Sequence, residues 1–343
     1  MATQATLTAK WTKMTNGPQL QRSSHTVTTV DKTLYIFGGE LKPREPRDND
    51  LHKYIIGSGT DVTTLSADSQ GTAPSARVGS TTAALNGKMY LFSGRGGPEM
   101  APVDEEGGLW ILDAGAEKWD LVKPASSTFP EARSFHCTTN DGKETLYIHA
   151  GCPEKGRLAD LWSFNVSTKE WRQLASAPDP PRGGTSIAFA EGKLYRMNGF
   201  DGQHEVGGAL DIYDPASDSW SSTDFNPDGK DGPGARSVAA LIPVKRHDGV
   251  YLVTLFGESD PSALGHQGAG KMLSDVWAYS LREGKWLQVV AEGNKPEGRG
   301  WFDADVVSLD GAFPQEKIAV VGGLGESNER LDDLWLLTFG ANA

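Results

Sequence analysis

Six times along the chain an arginine opens a segment that ends, after an apolar run, in glycine. The openings are Arg22-Ser23, Arg77-Val78, Arg133-Ser134, Arg182-Gly183, Arg236-Ser237 and Arg299-Gly300. The runs include Leu34-Tyr35-Ile36-Phe37-Gly38-Gly39, Met89-Tyr90-Leu91-Phe92-Ser93-Gly94 and Ile318-Ala319-Val320-Val321-Gly322-Gly323. A third apolar element follows, as in Asp160-Leu161-Trp162 and Asp275-Val276-Trp277, and a second tryptophan comes soon after: Trp119, Trp171, Trp286. Each element is short, β-branched or aromatic, and bounded by Gly, Pro or Asp, which is the strand signature. No long segment carries a helical period.

A unit of roughly fifty residues with a terminal glycine and two spaced tryptophans is the four-stranded kelch blade. Glycine lets the backbone turn and pass close to a neighbour. Tryptophan fills the wedge between blades, because one small sheet cannot bury both of its faces. The sixth unit stops after Asp333-Leu334-Trp335-Leu336-Leu337-Thr338-Phe339 without its last strand, and Ala9-Lys10-Trp11-Thr12-Lys13-Met14 supplies an orphan piece resembling Lys118-Trp119-Asp120-Leu121. The expected fold is therefore all-β: a six-bladed kelch β-propeller forming one domain over residues 1–343, its last blade closed by the N-terminal strand, so that no long edge stays open.

Composition narrows the function. With 343 residues, 38% of them hydrophobic, the chain is too apolar for disorder. The net charge of −12 and the lack of a Lys/Arg cluster argue against nucleic acid as a partner. No apolar run is long enough to span a membrane, and the first ten residues do not read as a signal peptide. The expected location is cytoplasmic, with Cys137 and Cys152 as free thiols.

Departures from the repeat mark where chemistry would sit. The loop from Glu258 to Gly270 is long and glycine-rich, with Glu258, Asp260 and His266 close together. Two carboxylates and an imidazole suit Fe(II) with open positions; a solvated acidic turn has the same composition. Arg95 follows the blade-two glycine, and Arg157 lies in the matching loop of blade three. Both would emerge on one face, to clasp an anionic group by planar hydrogen bonding or to form salt bridges between blades. Phe135 and Trp301 stand two residues after the repeat arginine, where Ser24, Gly79 and Gly184 are small; they would line a ligand cavity or pack in the channel. Glycine stretches such as Gly94-Arg95-Gly96-Gly97 open no helix, so a dinucleotide site is rejected.

Ala132-Arg133-Ser134-Phe135-His136, Gly156-Arg157-Leu158-Ala159-Asp160-Leu161-Trp162, residues 257–270 and Pro296-Glu297-Gly298-Arg299-Gly300-Trp301 are not demanded by a generic blade. In these segments, and over nearly its full length, the chain resembles the kelch-type specifier proteins of the glucosinolate system: nitrile-specifier, epithiospecifier and thiocyanate-forming proteins. The resemblance implies a six-bladed, Fe(II)-using, lyase-type protein. It would act on the unstable aglucone that myrosinase releases, diverting it from isothiocyanate toward nitrile, epithionitrile or thiocyanate. Arg95 and Arg157 would hold the sulfate of this small anionic substrate, and Phe135 and Trp301 would line its side-chain pocket. The family's iron motif is Glu, three residues, Asp, three residues, His. Glu258 and His266 match it, Ser262 stands at the Asp position, and Asp260 lies two residues earlier. The alternative is a non-catalytic kelch interaction module; a homodimer is the one protein partner considered.

Overall fold

The computed structural model describes residues 6–59, 61–308 and 316–340, apart from the side chain of His266. Alternating apolar residues and tight Gly or Asp turns produce short antiparallel meanders. Blade one comprises Ser23–Val30, Thr33–Lys42, Leu51–Ile55 and Thr63–Leu65. Blades two to five repeat this four-strand order within residues 81–122, 137–174, 186–224 and 240–292. Blade six is Asp303–Val307, Lys317–Val321 and Asp333–Phe339, with Thr6–Asn16 as its outer strand. The six-bladed propeller expected from the repeat is thus the fold. Among the described residues no helix is long and apolar enough to cross a membrane.

The N-terminal strand does more than complete blade six. Trp11 pairs with Leu337 and Thr12 with Leu336 in the antiparallel register expected of a closing strand. Residues 6–10 also run parallel to residues 288–292 of blade five, which joins two blades into one eight-stranded sheet. Tryptophans fill the wedges: Trp119 packs on Phe37 of the preceding blade at 5.5 Å, and Trp171 on Phe92 at 5.6 Å. Burying each such side chain contributes about 3 kcal/mol.

The repeat arginines are internal anchors. All six are buried, and each donates to the carbonyl oxygen at the end of its own blade's second strand, for example Arg133 to Ala150 at 3.1 Å and Arg299 to Gly322 at 2.9 Å. Five are held bidentately by Asp48, Glu105, Asp160, Asp275 or Asp333. A tryptophan indole donates to the same acid in four blades, as Trp162 does to Asp160. In blade four Ala209 replaces the acid; burial and neighbouring Arg196 lower the Arg182 guanidinium to about 10.

Two residues beyond each arginine the chain turns left-handed: Ser24, Gly79, Phe135, Gly184, Val238 and Trp301 all have φ between 46° and 61°. Each donates its N–H to the equivalent carbonyl in the preceding blade: Gly79 to Ser24, Phe135 to Gly79, Gly184 to Phe135, Val238 to Gly184 and Trp301 to Val238. Ser24 N–H to Trp301 O, at 2.8 Å, closes the ring. Such a φ is costly for a β-branched or bulky residue, and Val238, Phe135 and Trp301 are held there by two inter-blade bonds each.

The joint between blades six and one carries carboxylates on the channel wall. Asp303 accepts the Val27 N–H and Asp305 the Thr29 N–H, both at 2.6 Å. Blades one and two, and two and three, are instead linked by neutral pairs, Thr28 with Thr82 and Thr81 with Thr138. Burial pushes Asp303 up to about 7 and Asp305 up to about 6, against the pull of the amides they accept.

Two outcomes follow from these anchors and this joint. Asp160→Ala and Asp275→Ala each strand a buried guanidinium, and each is expected to lower unfolding free energy by about 3 kcal/mol in denaturant titration. For Asp303, the folded state binds a proton that the unfolded chain has released between the ordinary carboxylate range and about 7. That contribution falls as pH rises across the window, so Asp303→Asn is expected to flatten the decline of the melting midpoint from pH 5 to pH 8.

Candidate functional site

Each inner strand begins one to four residues after its repeat arginine and ends at a turn, so the arginine end of the channel is one mouth and the turns form the other. The channel encloses about 890 Å³, and a second cavity of about 280 Å³ sits at the arginine mouth. Ser24, Phe135 and Trp301 line both, so the left-handed ring is the throat between them.

The mouth pocket gathers four residues singled out in the sequence: Arg95, Arg157, Phe135 and Trp301. Arg95 lies on a two-residue strand paired to Val78 and Pro102, and its guanidinium donates to Ser134 Oγ, the Met100 carbonyl and the Pro153 carbonyl. Three of its five N–H groups are thereby used. Burial holds it below the ordinary arginine range, and Arg44 nearby adds to this. Arg157 carries no hydrogen bond to any described residue; its guanidinium lies 5.0 Å above the Phe200 ring, and its buried Nε has no acceptor. Neither arginine is within ion-pair distance of a carboxylate among the described residues, which removes the inter-blade salt bridge from the two readings. The guanidinium charge is therefore available to a ligand.

Other contributors were not legible as site residues. Arg330 is buried, pairs with Glu40 at 3.0 Å and donates to Ser23 Oγ at 3.2 Å. Arg44 and Cys152 complete the wall. Burial pushes the Cys152 thiol up, and Arg157 and Arg95 lie close enough to oppose this. The signal was positional: Glu40, Arg95, Cys152, Phe200, Glu258 and Leu324 each directly follow the final glycine of a blade's apolar run, and four of them line this pocket.

The blade-five loop reaches the same mouth through Gly268. Glu258 is 4% exposed and accepts the Gly270 N–H at 2.8 Å. Burial, with Glu205 nearby, pushes its carboxyl up to about 7. A buried carboxylate with no cationic partner among the described residues fits one ligand position of a cation. Asp260 is exposed, and Ser262 Oγ accepts the Leu264 N–H at 3.1 Å. His266 belongs to the turn Gly265–Gln267, and its imidazole lies outside the described residues. Among the described residues no three His, Cys, Asp or Glu side chains gather.

Charge is polarised along the channel. Arg44, Arg95, Arg157 and Arg330 ring one mouth together with Glu40 and Glu154, and Arg330 is paired with Glu40, so basic residues outnumber acidic ones there. Asp31, Asp141, Glu191 and Glu316 lie at the other, with Lys245 the basic residue among them. On a chain of net charge −12, the arginine mouth is the less acidic end of the channel.

Residues 24–257 match the KLHDC2/KLHL20/DRC7 Kelch-repeats domain family. The N-(sulfonatooxy)prop-2-enimidothioate sulfolyase of Thlaspi arvense is 29% identical over 358 residues, spanning 96% of this chain and 97% of that protein. The leucine-zipper-like transcriptional regulator 1 homolog of Drosophila melanogaster is 23% identical across 98% of this chain, which spans only 33% of that longer protein. In fold, the solved structure of YjhT superposes with a TM-score of 0.69 at 16% identity, covering 95% of this chain and 99% of that one.

Proposed function

We propose, from the premise that this chain belongs to the kelch-repeat family, that it is a specifier-like protein whose arginine mouth takes a small organosulfate with a sulfur-bearing carbon. The observation that carries this reading is the convergence of Arg95, Arg157, Phe135 and Trp301 on one pocket, with Arg157 lacking a hydrogen-bond acceptor among the described residues. The full-length relative acts, by its name, on an N-sulfonatooxy imidothioate, which pairs a sulfate-like head with an apolar chain. Here Arg157 would donate to the sulfonate oxygens, and Arg95, already positioned by three acceptors, would add its remaining N–H groups and its charge. On the nitrile branch, as the N–O bond breaks its electron pair leaves with sulfate, the C–S bonding pair of the thiolate becomes the third C–N bond and the sulfur departs as sulfur(0); two fixed guanidinium groups would favour the charge growing on sulfate. Phe135 and Trp301 would shield the chain from water at the throat.

Iron enters this reading as Fe(II) held by Glu258 and His266, with Ser262 at the third position and Asp260 beside it; when bound it would supply a soft Lewis-acid centre for the substrate's sulfur. A neutral hydroxyl at the third position makes for weak retention. Ser262→Asp is therefore expected to tighten Fe(II) binding about tenfold, and His266→Ala to abolish it, in anaerobic metal titration. Equal iron content in wild type and His266→Ala would remove the metal from this loop.

Activity is tested by adding the purified protein and Fe(II) to myrosinase and a glucosinolate. The expected result is a rise in nitrile, epithionitrile or thiocyanate at the expense of isothiocyanate. Arg157→Ala is expected to lose this diversion and to weaken alkyl sulfate binding by about ten- to a hundredfold, the scale of a lost charged hydrogen bond. An unchanged product ratio with wild-type protein would overturn the specifier reading.

A further inference from the structure

The mouth pocket has a second half, built from blades one and six, that the anion-holding residues leave unused. Ser24 sits at its floor. The residue is 7% exposed and lines both the mouth pocket and the channel. Its backbone is fully committed, the N–H to Trp301 O and the carbonyl to Gly79 N–H, both at 2.8 Å. Its hydroxyl has no hydrogen-bond partner among the described residues. The other two serine hydroxyls of the pocket are taken: Ser23 Oγ by Arg330 and Ser134 Oγ by Arg95, both at 3.2 Å. The same pocket has apolar lining from Val78, Phe135 and Trp301.

One blade over, Ser80 repeats the condition. It is 3% exposed, lines the channel but not the mouth pocket, and its Oγ lacks a partner among the described residues. Ser80 Oγ is a buried orphan on the channel wall, as are atoms of His25, Thr29 and His136, whereas the unpartnered Ser24 hydroxyl stays open to the cavity; buried polar groups in folded proteins almost always find partners. Leaving such a group unmade is costly, whereas a ligand that satisfies it gains selectivity over one that does not.

We infer that Ser24, supported by Ser80, forms a polar subsite that selects organosulfates bearing a hydroxyl, carbonyl or sulfoxide at the far end of a short chain. This deepens the proposed function and rests on its placing of the sulfate at Arg157. The head group is held on the blade-three side, the chain crosses the aromatic throat, and its polar end meets the serine hydroxyls.

The test uses 3-hydroxypropyl sulfate and n-propyl sulfate as probes, titrated calorimetrically into the full chain, Ser24→Gly and Arg157→Ala. Glycine is the fitting substitution, because Gly79 and Gly184 hold the equivalent left-handed positions with φ of 61° and 60°. Wild type is expected to prefer the hydroxylated probe about fivefold, the scale of one neutral hydrogen bond. Ser24→Gly is expected to erase that preference while binding n-propyl sulfate as before, and Arg157→Ala to weaken both probes alike. Ser24→Ala is the second variant, and the same selective loss is required of it should Ser24→Gly melt early. If the preference is absent in wild type, or survives both serine variants, the polar subsite is overturned and the sulfate site stands. If neither probe binds wild type, or Arg157→Ala binds both undiminished, the sulfate reading falls and takes the subsite with it.

Discussion

A closed circle of six backbone hydrogen bonds, running from blade to blade through six left-handed residues, is the constraint on which the molecule depends. It sets the spacing of the blades at the arginine mouth and fixes the throat between pocket and channel. It also explains how residues as different as serine, valine, phenylalanine and tryptophan occupy this position. Glycine relaxes into the conformation easily, whereas Ser24, Val238, Phe135 and Trp301 are held in it by donor and acceptor both claimed by neighbouring blades. The buried arginines work on the same joints from below. Five of the second-strand glycines, such as Gly94 and Gly151, donate to the arginine carbonyl of the next blade, so five of the six arginines tie their own blade by the side chain and the preceding blade by the main chain.

Rigidity at the mouth is what permits an uncompensated guanidinium. Arg95 is fixed by three acceptors, none of them a carboxylate, and Arg157 is braced on Phe200. In a mobile loop either would find an acid among the many on this surface. A preorganised charge of this kind costs stability, a trade seen where binding sites are built on rigid scaffolds. In the proposed function, the carboxylates at the opposite rim would favour approach of the anion at the arginine mouth.

Much of this was legible in the sequence, for identifiable reasons. The repeat arginines and glycines are irreplaceable in geometry, so they appear in every unit, and the orphan Trp11 segment pointed to the closing strand. Arg95, Arg157, Phe135 and Trp301 could be singled out because each breaks the repeat. The parallel pairing of residues 6–10 with blade five was not readable, since it rests on backbone groups alone. Nor was the Arg330–Glu40 pair, whose members lie 290 positions apart and meet only when the ring closes. The left-handed ring was hidden for the opposite reason: valine, phenylalanine and tryptophan at those positions gave no local cue to their conformation. At the blade-five loop the sequence pattern offered four candidate ligands, yet burial separates them, leaving Glu258 inside and Asp260 exposed.

The most direct measurement is a crystal structure of the protein grown with an alkyl sulfate. The account predicts sulfate oxygens in hydrogen-bond contact with the Arg157 guanidinium and the remaining N–H groups of Arg95, with the carbon chain against Phe135 and Trp301. A sulfate bound at the acidic rim, or an Arg157 turned away to pair with a carboxylate while the pocket stays empty, would contradict it.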